Sequence, residues 1–169
     1  MLTKMFQRLT ADPTAEMALF GWITRTARRQ DFYVDGSVPD TIDGRFAMLS
    51  TIAALVCVRL ERLGEAGDQL SVALTERFAQ VMESEHRELG LGDPTLGKTV
   101  LKLVGALARR VGMWRQAQSG EIDWDSAVRA SLPEAKDPAA LRYRTALLKD
   151  ISESLNSATI AQLAAGDVP

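Results

Sequence analysis

TIDGRFAMLSTIAALVCVRLERLG, residues 41–64, is the stretch on which the fold turns. Phe46, Leu49, Ala53, Val56, Leu60 and Leu63 recur at alternating steps of three and four, the repeat of one face of an α-helix. The spacing predicts a helix from about Thr41 to Leu63, with Gly64 as its stop. Met48, Ile52 and Leu55 add a second apolar stripe, so this helix is expected at the centre of the molecule, covered on two sides. Its uncharged run, Phe46 to Val58, is 13 residues, short of the ~20 that a membrane-spanning helix requires. Cys57, the sole cysteine, lies inside that run. It reads as a small core residue of a reducing compartment, with no internal disulfide available to it.

Outward from this segment the chain reads as further helices divided by short breakers, with no alternating strand and no internal repeat. Before it, Asp12-Pro13 supplies a cap and a first-turn proline for a helix with Leu19, Phe20, Ile23 and Ala27 on one face, and a loop from Asp31 to Pro39 ends that helix. After it, a helix is expected from about Asp68 to Leu89, apolar through Leu70, Leu74, Phe78 and Val81. It becomes charged through Glu83, Glu85, Arg87 and Glu88, so its far end meets water. Asp93-Pro94 repeats the cap-plus-proline signal. Leu96, Val100, Leu103, Leu107, Val111 and Trp114 then mark the inner face of a second long helix, antiparallel to the first. Shorter helices follow between Glu121 and Ser131, after Asp137-Pro138, and from Asn156-Ser157 to Leu163. The expected fold is all-α: one compact helical domain over residues 1–169, of about five to seven helices with long antiparallel central ones.

Composition sets limits on function. The chain of 169 residues is 46% hydrophobic and 25% charged, with a formal net charge of −2, so it has no global attraction for polyanions and no specific nucleic-acid partner is expected. The opening residues lack the long apolar run of a secretory signal. Leu2, Met5, Phe6 and Leu9, opposed by Lys4 and Arg8, make residues 1–12 a candidate amphipathic segment. For so few turns, packing on the domain is favoured over a membrane surface.

Three constellations offer chemistry. Gly92, Gly97, Lys98 and Thr99 have phosphate-loop spacing, but a phosphate loop follows a buried strand, and the residues ahead of Gly92 are charged and helical. A turn and helix cap is the favoured reading. Glu83 and His86 have the Glu-x-x-His spacing of di-iron bundles. With one His in the chain, no metal site and no cofactor is expected. Asp40 and Asp43 lie three apart at a helix entrance, where capping and the positive end of the helix dipole explain them better than acid–base catalysis. The arginines Arg25, Arg28, Arg29, Arg59, Arg62, Arg109 and Arg110 are read as solvated faces, some available for docking.

Two segments carry a more specific signal. FYVDGSVPDTIDGRFAML, Phe32 to Leu49, and ESEHRELGLGDPTLGK, Glu83 to Lys98, together resemble the signatures of the ubiquinol-cytochrome c chaperone family. The first matches its aromatic-Tyr pair, Val-Pro-Asp-Thr turn and Asp-Gly-Arg-Phe helix entrance. The second matches its acidic stretch, Arg-Glu-x-Gly-x-Gly-Asp and Gly-Lys. The resemblance covers about residues 20 to 115. It departs at Leu89 and Leu91, where the family often has Met and Val, at His86 where Leu is usual, and at Ala108-Arg109, which replace an aromatic-Gly stretch and leave Trp114 as the nearby aromatic.

The resemblance implies an all-helical, nonenzymatic chaperone of the bacterial short type that binds newly made cytochrome b and assists maturation of the respiratory bc1 complex. The partners it implies are cytochrome b or another bc1 subunit, with a second assembly factor and peripheral inner-membrane contact as further expectations, in the bacterial cytoplasm or an organelle matrix. The residues it nominates for partner contact are Tyr33, Asp40, Asp43, Arg45, Phe46, Arg87, Glu88, Asp93, Lys98 and Trp114. An internal ion-pair network is the alternative role for the charged ones. The competing functions are a small helical enzyme using Asp40, Asp43, Arg45 and Glu88, and a nucleotide-binding module at Gly92–Thr99.

Overall fold

The computed structural model describes residues 15–90 and 92–169, apart from the side chains of Asp93 and Pro94. The amphipathic segment 1–12 and the Asp12-Pro13 start signal lie outside the described residues. Within them the chain is helical without strands, as the periodicity predicts. Its helices are α1 (Ala15–Ala27), α2 (Gln30–Val34), α3 (Ile42–Leu60), α4 (Gly64–Glu88), α5 (Asp93–Ser119), α6 (Trp124–Ser131), α7 (Pro138–Ser157) and α8 (Ile160–Ala165). Six of these have eight residues or more; α2 and α8 are single short pieces.

The central position of α3 follows from its two apolar stripes. Met48, Ile52, Leu55, Val56 and Leu60 are fully buried, and α1, α4, α5 and α7 all pack on it. Each such side chain withdrawn from water contributes roughly 1.5–3 kcal/mol before conformational entropy is set against it. The core continues through Leu19 and Ile23 of α1, Leu74 and Phe78 of α4, Leu107 and Trp114 of α5 and Leu148 and Leu155 of α7.

The ends of α3 differ from expectation. Its N-cap is Thr41, whose Oγ1 accepts from the Gly44 amide at 3.1 Å, so neither Asp40 nor Asp43 caps it. Gly44 is required there: a Cβ would meet the Pro39 carbonyl oxygen at 1.9 Å. At the other end the helix stops at Leu60, a tighter turn follows in which the Leu63 amide donates to the Leu60 carbonyl at 2.9 Å, and Gly64, left-handed at φ +67, both ends that run and begins the next helix. That helix starts four residues before Asp68 because Gly67 lies against the end of α3, where a Cβ would be 2.1 Å from the Leu60 oxygen. The expected Asp31–Pro39 loop also contains α2, held by burial of Phe32 and by the Asp31 carboxylate, which accepts from the Phe32 amide at 3.1 Å.

The two long helices α4 and α5 form the expected hairpin. Its open end is tied to α3 by Arg115, which donates to both carboxylate oxygens of Glu61 at 2.9 and 2.6 Å. Of the remaining helices, α7 starts where Asp137-Pro138 marks it, with Asp137 as its cap. Helix α6 starts at Trp124 behind Asp123, three residues after Glu121. Asn156-Ser157 close α7, so that α8 starts only at Ile160 behind Thr159.

Candidate functional site

The nominated residues fall into two sets. The first surrounds the entrance to α3. Arg45 Nε donates to Asp40 Oδ1 at 2.6 Å across the first turn, and that bond holds the Asp40 carboxyl below the ordinary carboxylate range. Tyr33, on α2, donates its hydroxyl to the Ala27 carbonyl at 2.9 Å. Burial, then the nearby Asp40 charge, raises its pKa. Asp43 is exposed on the first turn of α3, where its charge complements the helix dipole. Phe46 is half-buried, 6.2 Å from the Phe78 ring and beneath the Arg110 guanidinium at 5.8 Å.

The second set lies at the closed end of the α4–α5 hairpin. Arg87 pairs with Glu83 at 2.7 Å, and Glu88 and Lys98 are exposed; the side chain of Asp93 is outside the described residues. A shallow groove of about 390 Å³, lined by Glu83, Arg87, Leu96, Gly97 and Val100, runs between the two helices there. Phe78 and Arg110 meet Phe46 near the start of α3. Arg87 therefore lies roughly 14 Å further along α4, and Lys98 about 18 Å further along α5. The hairpin end projects beyond the α3 entrance, so the two signatures occupy neighbouring but separate surfaces.

Trp114 belongs to neither set. Its side chain is fully buried against Trp124 at 5.3 Å, so in this conformation it is a core residue and unavailable to a partner. The competing functions find no support in the geometry. Among the described residues, Asp40, Asp43, Arg45 and Glu88 line neither the groove above nor a second cavity of about 360 Å³ between Arg62, Trp124 and Lys149. Gly97, Lys98 and Thr99 lie within α5, so their amides serve the helix in place of a phosphate, and α4 with its turn precedes Gly92. His86 Nδ1 donates to the Met82 carbonyl at 2.8 Å, which fixes it as part of α4.

Two arginines organise the first set: Arg144, which the sequence does not nominate, and Arg110, which is held in packing contacts instead of standing on the solvated face expected for it. Arg144, on α7, is 1% exposed and has only carbonyl partners: Nε donates to Gly36, Nη1 to Pro133 at 2.6 Å and Nη2 to Ser37 at 2.8 Å. Arg110 donates Nη2 to the Ser131 carbonyl at 2.9 Å while its plane covers Phe46. Burial lowers the pKa of both guanidinium groups, which stay charged at neutral pH.

What these features define is an all-helical protein whose charged candidate residues, among the described side chains, stand on open surface. The family model for the ubiquinol-cytochrome C chaperone matches residues 34–166, and the chain belongs to that family. Its fold is similar to the crystal structure of the Cbp3 homolog from Brucella abortus, with a TM-score of 0.79 and 28% identity over 99% of this chain and 95% of that one. No curated protein matches. The all-helical chaperone expected from the two signatures is thus the protein observed, and none of the described helices is long and apolar enough to cross a membrane.

Proposed function

We propose that the chain, as one domain over residues 1–169, works by binding and not by catalysis. It holds newly made cytochrome b at the cytoplasmic or matrix face of the membrane until the bc1 complex accepts it. One observation carries this reading. Val34 and Ile42 in the first signature, and Leu89 in the second, are 59%, 68% and 63% exposed, beside the Asp40–Arg45 and Glu83–Arg87 ion pairs. Apolar side chains with charged neighbours on an open surface suit an apolar client segment whose flanks are charged. Membrane-protein segments have that composition, since cytoplasmic loops are rich in Lys and Arg.

A photo-reactive residue placed in cells at Val34, Arg45 or Arg87 tests it. Cytochrome b is the expected crosslinked product, and Asp40→Lys is expected to reduce it. Deletion of the chain should lower assembled bc1 complex. Intact bc1 assembly in the deletion strain, or crosslinks lacking every bc1 subunit, would reject the reading.

A further inference from the structure

The turn between α2 and α3 is held in place from a distance. Ser37 has φ +50, in the left-handed region that non-glycine residues rarely adopt, and Gly36 packs so tightly that a Cβ would lie 2.5 Å from the Phe32 carbonyl oxygen. Within the turn the Val38 amide donates to the Phe32 carbonyl at 3.0 Å. That leaves the carbonyls of Gly36 and Ser37, and both are taken by Arg144 from α7, 107 or more residues away in sequence. The third arm of the same guanidinium binds the Pro133 carbonyl, at the α6–α7 junction.

Arg144 has no carboxylate partner among the described residues. A buried cation is costly unless every donor direction is used. Here the planar fork of Arg supplies what a lysine cannot: several fixed donors to carbonyls on two separate loops. The turn it grips leads directly into Pro39, Asp40 and the entrance of α3.

We infer that Arg144 is the positioning residue of the client-docking turn, fixing Gly36 and Ser37 so that Val34, Asp40 and Ile42 are presented in one arrangement before a partner arrives. This rests on the client-binding reading above, but the hold on the turn is measurable without any client. Pre-organisation removes an ordering cost from binding, so loosening the turn should weaken capture even where the contact residues are intact.

Hydrogen–deuterium exchange of the whole protein tests the hold directly. Arg144→Lys retains the charge and loses the fork. We expect the backbone amides of residues 36–38, 40 and 41 to exchange roughly tenfold faster while α4 and α5 are unchanged. In cells, crosslinking to cytochrome b from Arg45 should fall several-fold and that from Arg87 should persist. Gly36→Ala, which displaces the same carbonyl without touching Arg144, should reproduce both effects if Arg144→Lys does not fold.

Unchanged exchange at those amides, or a uniform loosening of all helices, overturns the assignment. So does a loosened turn with undiminished Arg45 crosslinking. If wild-type protein crosslinks to no bc1 subunit, the client reading fails, and the exchange comparison still decides whether Arg144 fixes the turn.

Discussion

Arg45 and Asp40 are joined by a 2.6 Å hydrogen bond over the first turn of α3, and both side chains stay more than half exposed. An ion pair in that setting gives little stability, because water screens it and two long side chains must be ordered. A role in the fold therefore does not explain it well, whereas display to a partner does.

Asp40→Asn and Arg45→Gln should accordingly leave the melting temperature unchanged and reduce capture of cytochrome b. The pH dependence follows from the depressed Asp40 pKa. The pair is fully present above the ordinary carboxylate value and is lost only as pH falls through the lower folded value. Capture should thus be insensitive to Asp40 between pH 6 and 8. NMR titration should show the Asp40 midpoint rising in Arg45→Gln; an unmoved midpoint would mean that the bond does not persist in solution.

Phe46 is in the first signature yet its surroundings are those of a packing residue, between the Phe78 ring and the Arg110 guanidinium. Phe46→Ala should cost about 3 kcal/mol, and Phe46→Leu, which keeps most of the volume, about 1 kcal/mol. Urea unfolding measures both. A Phe46→Leu cost near zero would show that the aromatic contacts add nothing beyond bulk, and a cost equal to that of Phe46→Ala that they carry all of it.

The sequence was most legible where one physical cause acts locally. The two stripes on α3 specify its central position, and the Asp137-Pro138 signal specifies the start of α7, because periodicity and capping need no distant partner. Gly64 is legible as a stop, since its φ of +67 is the left-handed conformation that glycine allows, but the immediate restart of the chain as a helix is not, because it depends on Gly67 fitting beneath Leu60, a contact between two helices. Trp114 carries two readings in the sequence, an inner-face position on its helix and the aromatic nearest a departure from the family pattern, and the first is the one the structure bears out. Only the packing of α6 reveals that Trp124 covers it. Arg144 was missed although a signal existed: it occupies the stripe of Leu141, Leu148, Ile151 and Leu155, where an apolar residue belongs. A charge at such a position implies a buried partner set, but which carbonyls supply it is settled by two loops, at Gly36-Ser37 and at Pro133, that lie far apart in sequence.

Thr41, and not the aspartates on either side of it, satisfies the first turn of α3. Thr41→Ala should cost about 1 kcal/mol, and Thr41→Ser much less, since the hydroxyl acceptor is retained. Thermal unfolding compares them. Because the cap lies between Asp40 and Arg45, the Ala variant should also fray that turn and weaken crosslinking from Arg45, whereas the hairpin end at Arg87 should be unaffected.

Cys57 is buried on α3, and desolvation pushes its thiol up to about 11 from an ordinary 9.0. The native thiol stays protonated and shielded, so a disulfide reagent at pH 8 should label it only as fast as the protein unfolds. The sign of the linkage is that of an acid with a raised folded pKa: stability is unaffected below pH 9 and falls as pH rises toward 11. Cys57→Ala should abolish that alkaline loss relative to wild type. Rapid labelling of folded protein would show that α3 opens more readily than its burial allows.

Lys98 separates the hairpin reading from the phosphate-loop one. In α5 its amide and those of Gly97 and Thr99 belong to the helix, and a triphosphate would have to unwind two turns to reach them. Millimolar ATP with magnesium should therefore leave the melting temperature unchanged, since a ligand that binds only the native state stabilises it by an amount that grows as the logarithm of one plus its concentration over Kd. Lys98→Ala should leave stability unaltered, because the side chain is exposed and forms none of the observed ion pairs. Lys98→Glu places a negative charge beside the groove of Glu83 and Arg87, and should change crosslinking from Arg87 while leaving that from Arg45 intact. A melting-temperature rise with ATP that Lys98→Ala removes would instead mean that the hairpin end rearranges into an anion cradle, and that its charges serve a nucleotide and not a client.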